Sequence, residues 1–110
     1  MKYTTPHWPN DADGDALRRI WSDGVDFSKL HLIDFQVDFN KWPPSNEALQ
    51  ILHNFQKVRL IHTGEHEDGY VEISMLMRLG YDEVIGMEKL LTILLREYSG
   101  FCECWGMMAE

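Results

Sequence analysis

Leu32-Ile33-Asp34-Phe35-Gln36-Val37-Asp38-Phe39 alternates apolar and polar side chains with a period of two. Successive side chains of a strand point to opposite faces. Ile33, Phe35, Val37 and Phe39 therefore share one face, and Asp34, Gln36 and Asp38 share the other. Such a strand keeps one face in a core and the other in water. A parallel sheet covered on both sides would instead show a continuous apolar run, so the stretch points to an antiparallel sheet covered on one side.

Working outward from that strand, the upstream residues Asn10-Asp11-Ala12-Asp13-Gly14-Asp15 supply cap-type side chains, and Ala16, Leu17, Ile20 and Trp21 follow at helical spacing. Three aspartates in the opening turn complement the positive end of a helix dipole. Asp23-Gly24 ends this helix, with Gly24 free to take the left-handed conformation. Residues 1–9 hold two prolines and no period and read as an arm, which leaves residues 10–110 as a single domain. Downstream, Trp42-Pro43-Pro44 breaks the strand. Ser45 then caps a second helix with Ala48, Leu49, Leu52 and Phe55 on one side. Val58 to His62 is a short strand and Gly64 to Gly69 a polar turn. In the next strand Val71, Ile73, Met75 and Met77 alternate with Glu72, Ser74 and Arg78, and only Leu76 is out of place on the polar face. Gly80 closes it. The spacing predicts the longest helix over Asp82 to Tyr98, with an apolar stripe of Val84, Met87, Leu91, Leu94, Leu95 and Tyr98. Gly100 ends that helix, and Phe101 to Met108 makes the last strand. A leading helix followed by βαββαβ is the order of the ferredoxin-like sandwich, an α+β fold in which two right-handed β-α-β units interleave into one antiparallel sheet.

Composition narrows the function. There are 18 acidic side chains against 10 basic ones, for a formal charge of −8. The excess is spread along the chain, with 8 acids and 5 bases through residue 55 and 10 and 5 after it. A surface of that sign repels phosphate backbones, so direct nucleic-acid binding is not expected. The longest apolar stretch, Leu90 to Leu95, is far too short to span a membrane, and Met1-Lys2-Tyr3 does not open a signal peptide. Two cysteines only two residues apart do not build a disulfide framework. A cytoplasmic protein is expected.

Three motifs invite chemistry. Asp11-x-Asp13-Gly14-Asp15 resembles part of a calcium loop, but positions six and twelve of that loop fall on Ala16 and Ser22, where a glycine and a bidentate glutamate are needed. Helix capping accounts for the aspartates instead. His62-Thr63-Gly64-Glu65-His66 matches H-x-x-E-H, which binds zinc when both histidines share a helix face. Here the string leaves a strand and enters a turn at Gly64, so the imidazoles separate. Cys102 and Cys104 are spaced for the same face of a strand and read as buried thiols, not as a redox pair. His7, His31 and His53 have no partner that makes a triad. No catalytic residue, cofactor or metal is therefore expected. A metal-dependent hydrolase at His62 and His66, or a small-molecule-binding module on the sheet, are the rival readings. Nothing in the residues sets an oligomeric state.

The segment Asn10-Asp11-Ala12-Asp13-Gly14-Asp15-Ala16-Leu17-Arg18 resembles the opening signature of the RraB family, the protein regulators of ribonuclease E activity. Asp23-Gly24 with Asp26, Ile33-Asp34-Phe35, and Trp105-Gly106 agree with it in order. The stretch Cys102-Glu103-Cys104-Trp105-Gly106 departs from the family's usual aromatic-Asp-Gly-Trp-Gly at three positions, so the last strand is expected to matter less for binding. The resemblance implies a ferredoxin-like sandwich without catalysis. It also implies that the protein binds ribonuclease E through the C-terminal scaffold half of that enzyme and lowers its activity in RNA processing and decay.

A ferredoxin-like sheet has one face under helices and one free. The free face is expected to carry Asp34, Gln36 and Asp38, then Glu72, Ser74 and Arg78, with Arg59 and Ile61 nearby. An RNA-binding version would need stacking aromatics on the central strands, and those positions are acidic or small. Asp34, Asp38 and Glu72 are thus the expected protein-binding residues, with Asp11, Asp13 and Asp15 on the first helix as the next candidates. The sequence leaves open whether that helix covers the free face.

Overall fold

In the computed structural model, which describes residues 8–55, 57–62 and 69–107, everything is ordered about one ten-residue strand. The elements run α1 (Ala12–Ser22), β1 (Leu30–Phe39), α2 (Asn46–Leu52), β2 (Lys57–His62), β3 (Gly69–Arg78), α3 (Tyr81–Leu95) and β4 (Gly100–Met107). β1 lies between β3 and β4, and β2 pairs with the far edge of β3. The sheet order is therefore β2-β3-β1-β4, with every neighbouring pair antiparallel. The fold is α+β, a four-stranded antiparallel sheet with three helices.

The alternation along β1 does what its period requires. Ile33, Phe35 and Val37 are fully buried, and Val71, Ile73 and Met75 of β3 join them. Leu17 of α1, Ala48 and Leu52 of α2, and Val84, Leu91 and Leu95 of α3 belong to the same cluster. All three helices thus pack on one face of the sheet, including α1. Among the described residues no helix lies over the other face.

Local chemistry sets the helix ends. The Asp11 carboxylate accepts from the Gly14 N–H at 2.7 Å, and the Ser45 hydroxyl accepts from the Ala48 N–H at 3.2 Å, each satisfying an orphan donor of a first turn. Gly24 closes the first helix at φ 84°. The expected helix to Tyr98 is an α-helix to Leu95 continued by a 3-10 turn, Arg96–Tyr98. Its left-handed stop is Ser99, at φ 64°, and not Gly100. Gly100 instead opens β4 where a Cβ would lie 2.7 Å from the Phe39 ring and 2.9 Å from Leu95 Cβ, so it is there for close packing.

Two expectations are corrected. Leu94 is not in the buried stripe of α3; it is 38% exposed, and its place is taken by Glu88, at 8%. Positions 84, 88, 91 and 95 follow the helical spacing more closely, and a charge at one of them hid the stripe. Cys102 and Cys104 do not share a face. The register between β1 and β4 shifts between Gln36 and Val37, leaving Glu103 as an extra residue in a β-bulge. Cys102 therefore points into the core beside Val37, and Cys104 is exposed on the open side, opposite Gln36.

The arm expected over residues 1–9 falls outside the described residues as far as residue 7. So do the turn over residues 64–68 and the end of the last strand at residue 108.

Candidate functional site

The open face is built by pairing. Asp34 stands opposite Ser74, Gln36 opposite Glu72 and Asp38 opposite Tyr70. Glu72 is thus diagonal to both aspartates, a relation that spans about 7–8 Å across antiparallel strands. The three carboxylates surround Gln36. Each is already engaged on one oxygen: Asp34 Oδ1 accepts from the Ser74 hydroxyl, Asp38 Oδ1 accepts from Gln36 Nε2 at 3.1 Å, and Glu72 Oε1 pairs with Arg59 at 2.6 Å. Arg59 offsets part of the Glu72 charge, which leaves the two aspartates as the main source of negative field on this face.

On the other side of β1, Gly106 lies opposite Asp34. Without a side chain there, a shallow groove of about 220 Å³ opens, lined by Asp34, Phe35, Gln36, Tyr70, Glu72, Cys104, Trp105 and Gly106. The face also carries apolar side chains at one end. Leu32 pairs with Leu76, and Leu30 precedes Leu32 on the same face; the three are 43%, 51% and 55% exposed in the order Leu32, Leu76, Leu30. The out-of-place Leu76 thus has two neighbours of its own kind. The sequence signal was present in Leu30 and Leu32, which occupy the polar parity of β1.

The aspartates of α1 are held differently. Asp11 Oδ2 accepts from the Tyr81 hydroxyl at 2.6 Å, which holds the Asp11 carboxyl below the usual carboxylate range and pushes the Tyr81 phenol up to about 12. Asp13 Oδ1 accepts from the Trp105 indole at 2.7 Å. Asp15 pairs with Arg18, whose guanidinium also donates to the Trp8 and Pro9 carbonyls at 3.0 and 3.1 Å. A Cβ on Gly14 would come within 2.0 Å of the Pro9 carbonyl oxygen. The signature from Asp11 to Arg18 therefore fastens α1 to α3, to β4 and to the chain before it. Tyr81 and Trp105, the partners in that fastening, are distant in sequence and were not legible from it.

Glu88 lies between these layers. Burial, then the Asp13 and Glu103 charges, push its carboxyl up to about 7. Burial also raises the Cys102 thiol to about 12, with Glu88 as the next cause, so that sulfur behaves as a hydrophobe and not as a nucleophile. Among the described residues no three His, Cys, Asp or Glu side chains gather where they could hold a metal. The side chain of His62 and all of His66 lie outside the described residues.

No helix among the described residues is long and apolar enough to cross a membrane. Comparison with curated proteins returns no match. The model of one family, regulator of ribonuclease activity B, matches residues 10–107, from the capping aspartates of α1 to the last residue of β4. A match over nearly the whole chain, with every element inside it, shows that the chain belongs to the RraB family.

Proposed function

We propose that this protein is a non-enzymatic cytoplasmic regulator that binds ribonuclease E through that enzyme's C-terminal scaffold region and inhibits its endonuclease activity, so modulating RNA decay and processing. Family membership supports a ribonuclease as the partner. The observation that carries the mode of action is the sheet face over which no helix lies among the described residues, where Asp34, Asp38 and Glu72 surround Gln36 on the side away from all three helices. Such a face suits a basic protein segment, because charge complementarity raises association rate and selectivity. It repels RNA itself.

The architecture is read as the ferredoxin-like sandwich with an added N-terminal helix. The strand order β2-β3-β1-β4, in which β3 separates β1 from β2 and β1 separates β3 from β4, supports that reading. So does the placing of one helix between β1 and β2 and another between β3 and β4. A single cluster drawing on all three helices and the sheet supports one domain from residue 10 onward, while Trp8 of the expected arm packs against that same cluster.

Replacing Asp34, Asp38 and Glu72 by Asn, Asn and Gln tests the face. Exposed charge pairs contribute about 0.2–1 kcal/mol each, so the triple variant should lose roughly ten-fold in affinity for the purified scaffold segment at low salt. Its thermal unfolding should stay near that of the parent. Binding by the parent should weaken as salt rises. A parent that fails to bind the segment at low salt would sink ribonuclease E as partner. A triple variant that binds as tightly as the parent would move the contact to Asp11, Asp13 and Asp15.

A further inference from the structure

The open face is not uniformly acidic. At the end where β1 begins and β3 finishes, Leu30, Leu32 and Leu76 form a patch of exposed aliphatic side chains beside the carboxylates. Leu76 lies directly across from Leu32, and Arg78 across from Leu30. Along β1 the order on this face is Leu30, Leu32, Asp34, Gln36, Asp38, so apolar character gives way to negative charge within one step of the pleat. Neighbouring exposed aliphatic side chains of this size are a feature of interaction surfaces. In interfaces, buried apolar anchors contribute most of the affinity, while exposed charges contribute rate and register.

We propose that this face receives a bipartite segment of the partner, apolar at one end and basic beyond it. The apolar end seats on Leu30, Leu32 and Leu76, and the basic residues lie over Asp34, Glu72 and Asp38. The inference rests on the docking role proposed above for the same face, but not on which protein supplies the segment. At about 3.3 Å per strand residue, the carboxylates at 34 and 38 stand roughly 7 and 20 Å from Leu32 along β1. The groove floored by Gly106 is the seat for the first basic side chain, since Asp34 and Glu72 both line it and, among the described residues, no basic side chain does, Arg59 meeting Glu72 from outside the lining. A Cβ on Gly106 would meet nothing within 4 Å, so this seat is open. A second copy of the chain is the poorer occupant. A two-fold pairing of open faces would bring Asp34, Asp38 and Glu72 against their own counterparts, and like charges at close quarters oppose association.

Two synthetic peptides of equal length and charge test the proposal by fluorescence anisotropy against the full chain. One carries three leucines followed by spaced arginines, and the other has serines in place of the leucines. The leucine peptide should bind the parent at least ten-fold more tightly, and its advantage should persist at high salt, where the serine peptide is lost. Leu32→Ser with Leu76→Ser should erase the advantage while leaving the salt dependence of the serine peptide unchanged. Equal affinity of the parent for the two peptides overturns the proposal, and that comparison needs no variant to fold. So does an advantage that survives the leucine replacements. Sedimentation of the parent as a dimer that the double replacement dissociates would assign the patch to a second copy, which also overturns it. The purified ribonuclease scaffold segment, run in parallel, separates the two ideas: its failure to bind alongside clear peptide discrimination removes the ribonuclease and leaves the bipartite surface standing.

Discussion

Glu88 is the residue at which burial and charge conflict most openly. Its carboxyl faces Asp13 from α1 and Glu103 from β4, and burial raises it from an ordinary 4.5 to about 7. Between those two values the unfolded chain loses the proton while the folded chain keeps it. Stability therefore falls as pH rises through that window, and the full penalty, on the order of 3 kcal/mol, stands above pH 7. Glutamine imitates the protonated acid at every pH. Glu88→Gln should leave the melting temperature unchanged at pH 4 and raise it by several degrees at pH 8. Equal melting temperatures of parent and variant at pH 8 would show that Glu88 ionises in the folded state without cost. The buried glutamate is a place where a sequence misleads: hydropathy excludes Glu from a stripe that geometry assigns to it.

At the scale of the elements, α1 is bolted on by polar contacts as much as by packing. The Trp105 indole donates to the Asp13 carboxylate and the Tyr81 hydroxyl to Asp11, so β4 and α3 each hold one aspartate of the first turn. A hydrogen bond to a charged acceptor contributes about 1.5–3 kcal/mol. Trp105→Phe should therefore lower stability by roughly 2 kcal/mol in urea denaturation, and Asp13→Ala in the same background should add little, because the two changes remove one interaction. Full additivity of the two changes would mean that the bond contributes nothing. The elements themselves were largely legible. The period of two in β1 and β3, the caps at Asp11 and Ser45, and the stop at Gly24 are local chemistry, and the chain obeys them. What escaped is non-local. That Leu76 has Leu32 for a neighbour depends on strand register, and the bond that ties Asp13 of α1 to Trp105 joins residues 92 positions apart.

The whole molecule is two-sided. One side holds the core, all three helices and the fastened aspartates; the other holds the carboxylates at 34, 38 and 72 with the leucines beside them. Stability and binding should separate accordingly, with Tyr81→Phe, which removes the bond to Asp11, melting earlier yet binding the scaffold segment as the parent does when measured well below its transition. Which residue belongs to which side depends on the bulge at Glu103. In a regular strand Glu103 would take the place opposite Gln36, and every residue after it would change sides. Trp105 would then stand in solvent and Gly106 in the core. The bulge absorbs one residue and restores the alternation, so Glu103 acts as a rest in the rhythm of the strand and not as one of its notes. A chain lacking Glu103 should consequently keep the indole resonance of Trp105 in its hydrogen-bonded position. Insertions and deletions in β4 are then governed by parity: length is free to vary as long as the tryptophan lands on the beat that faces Asp13.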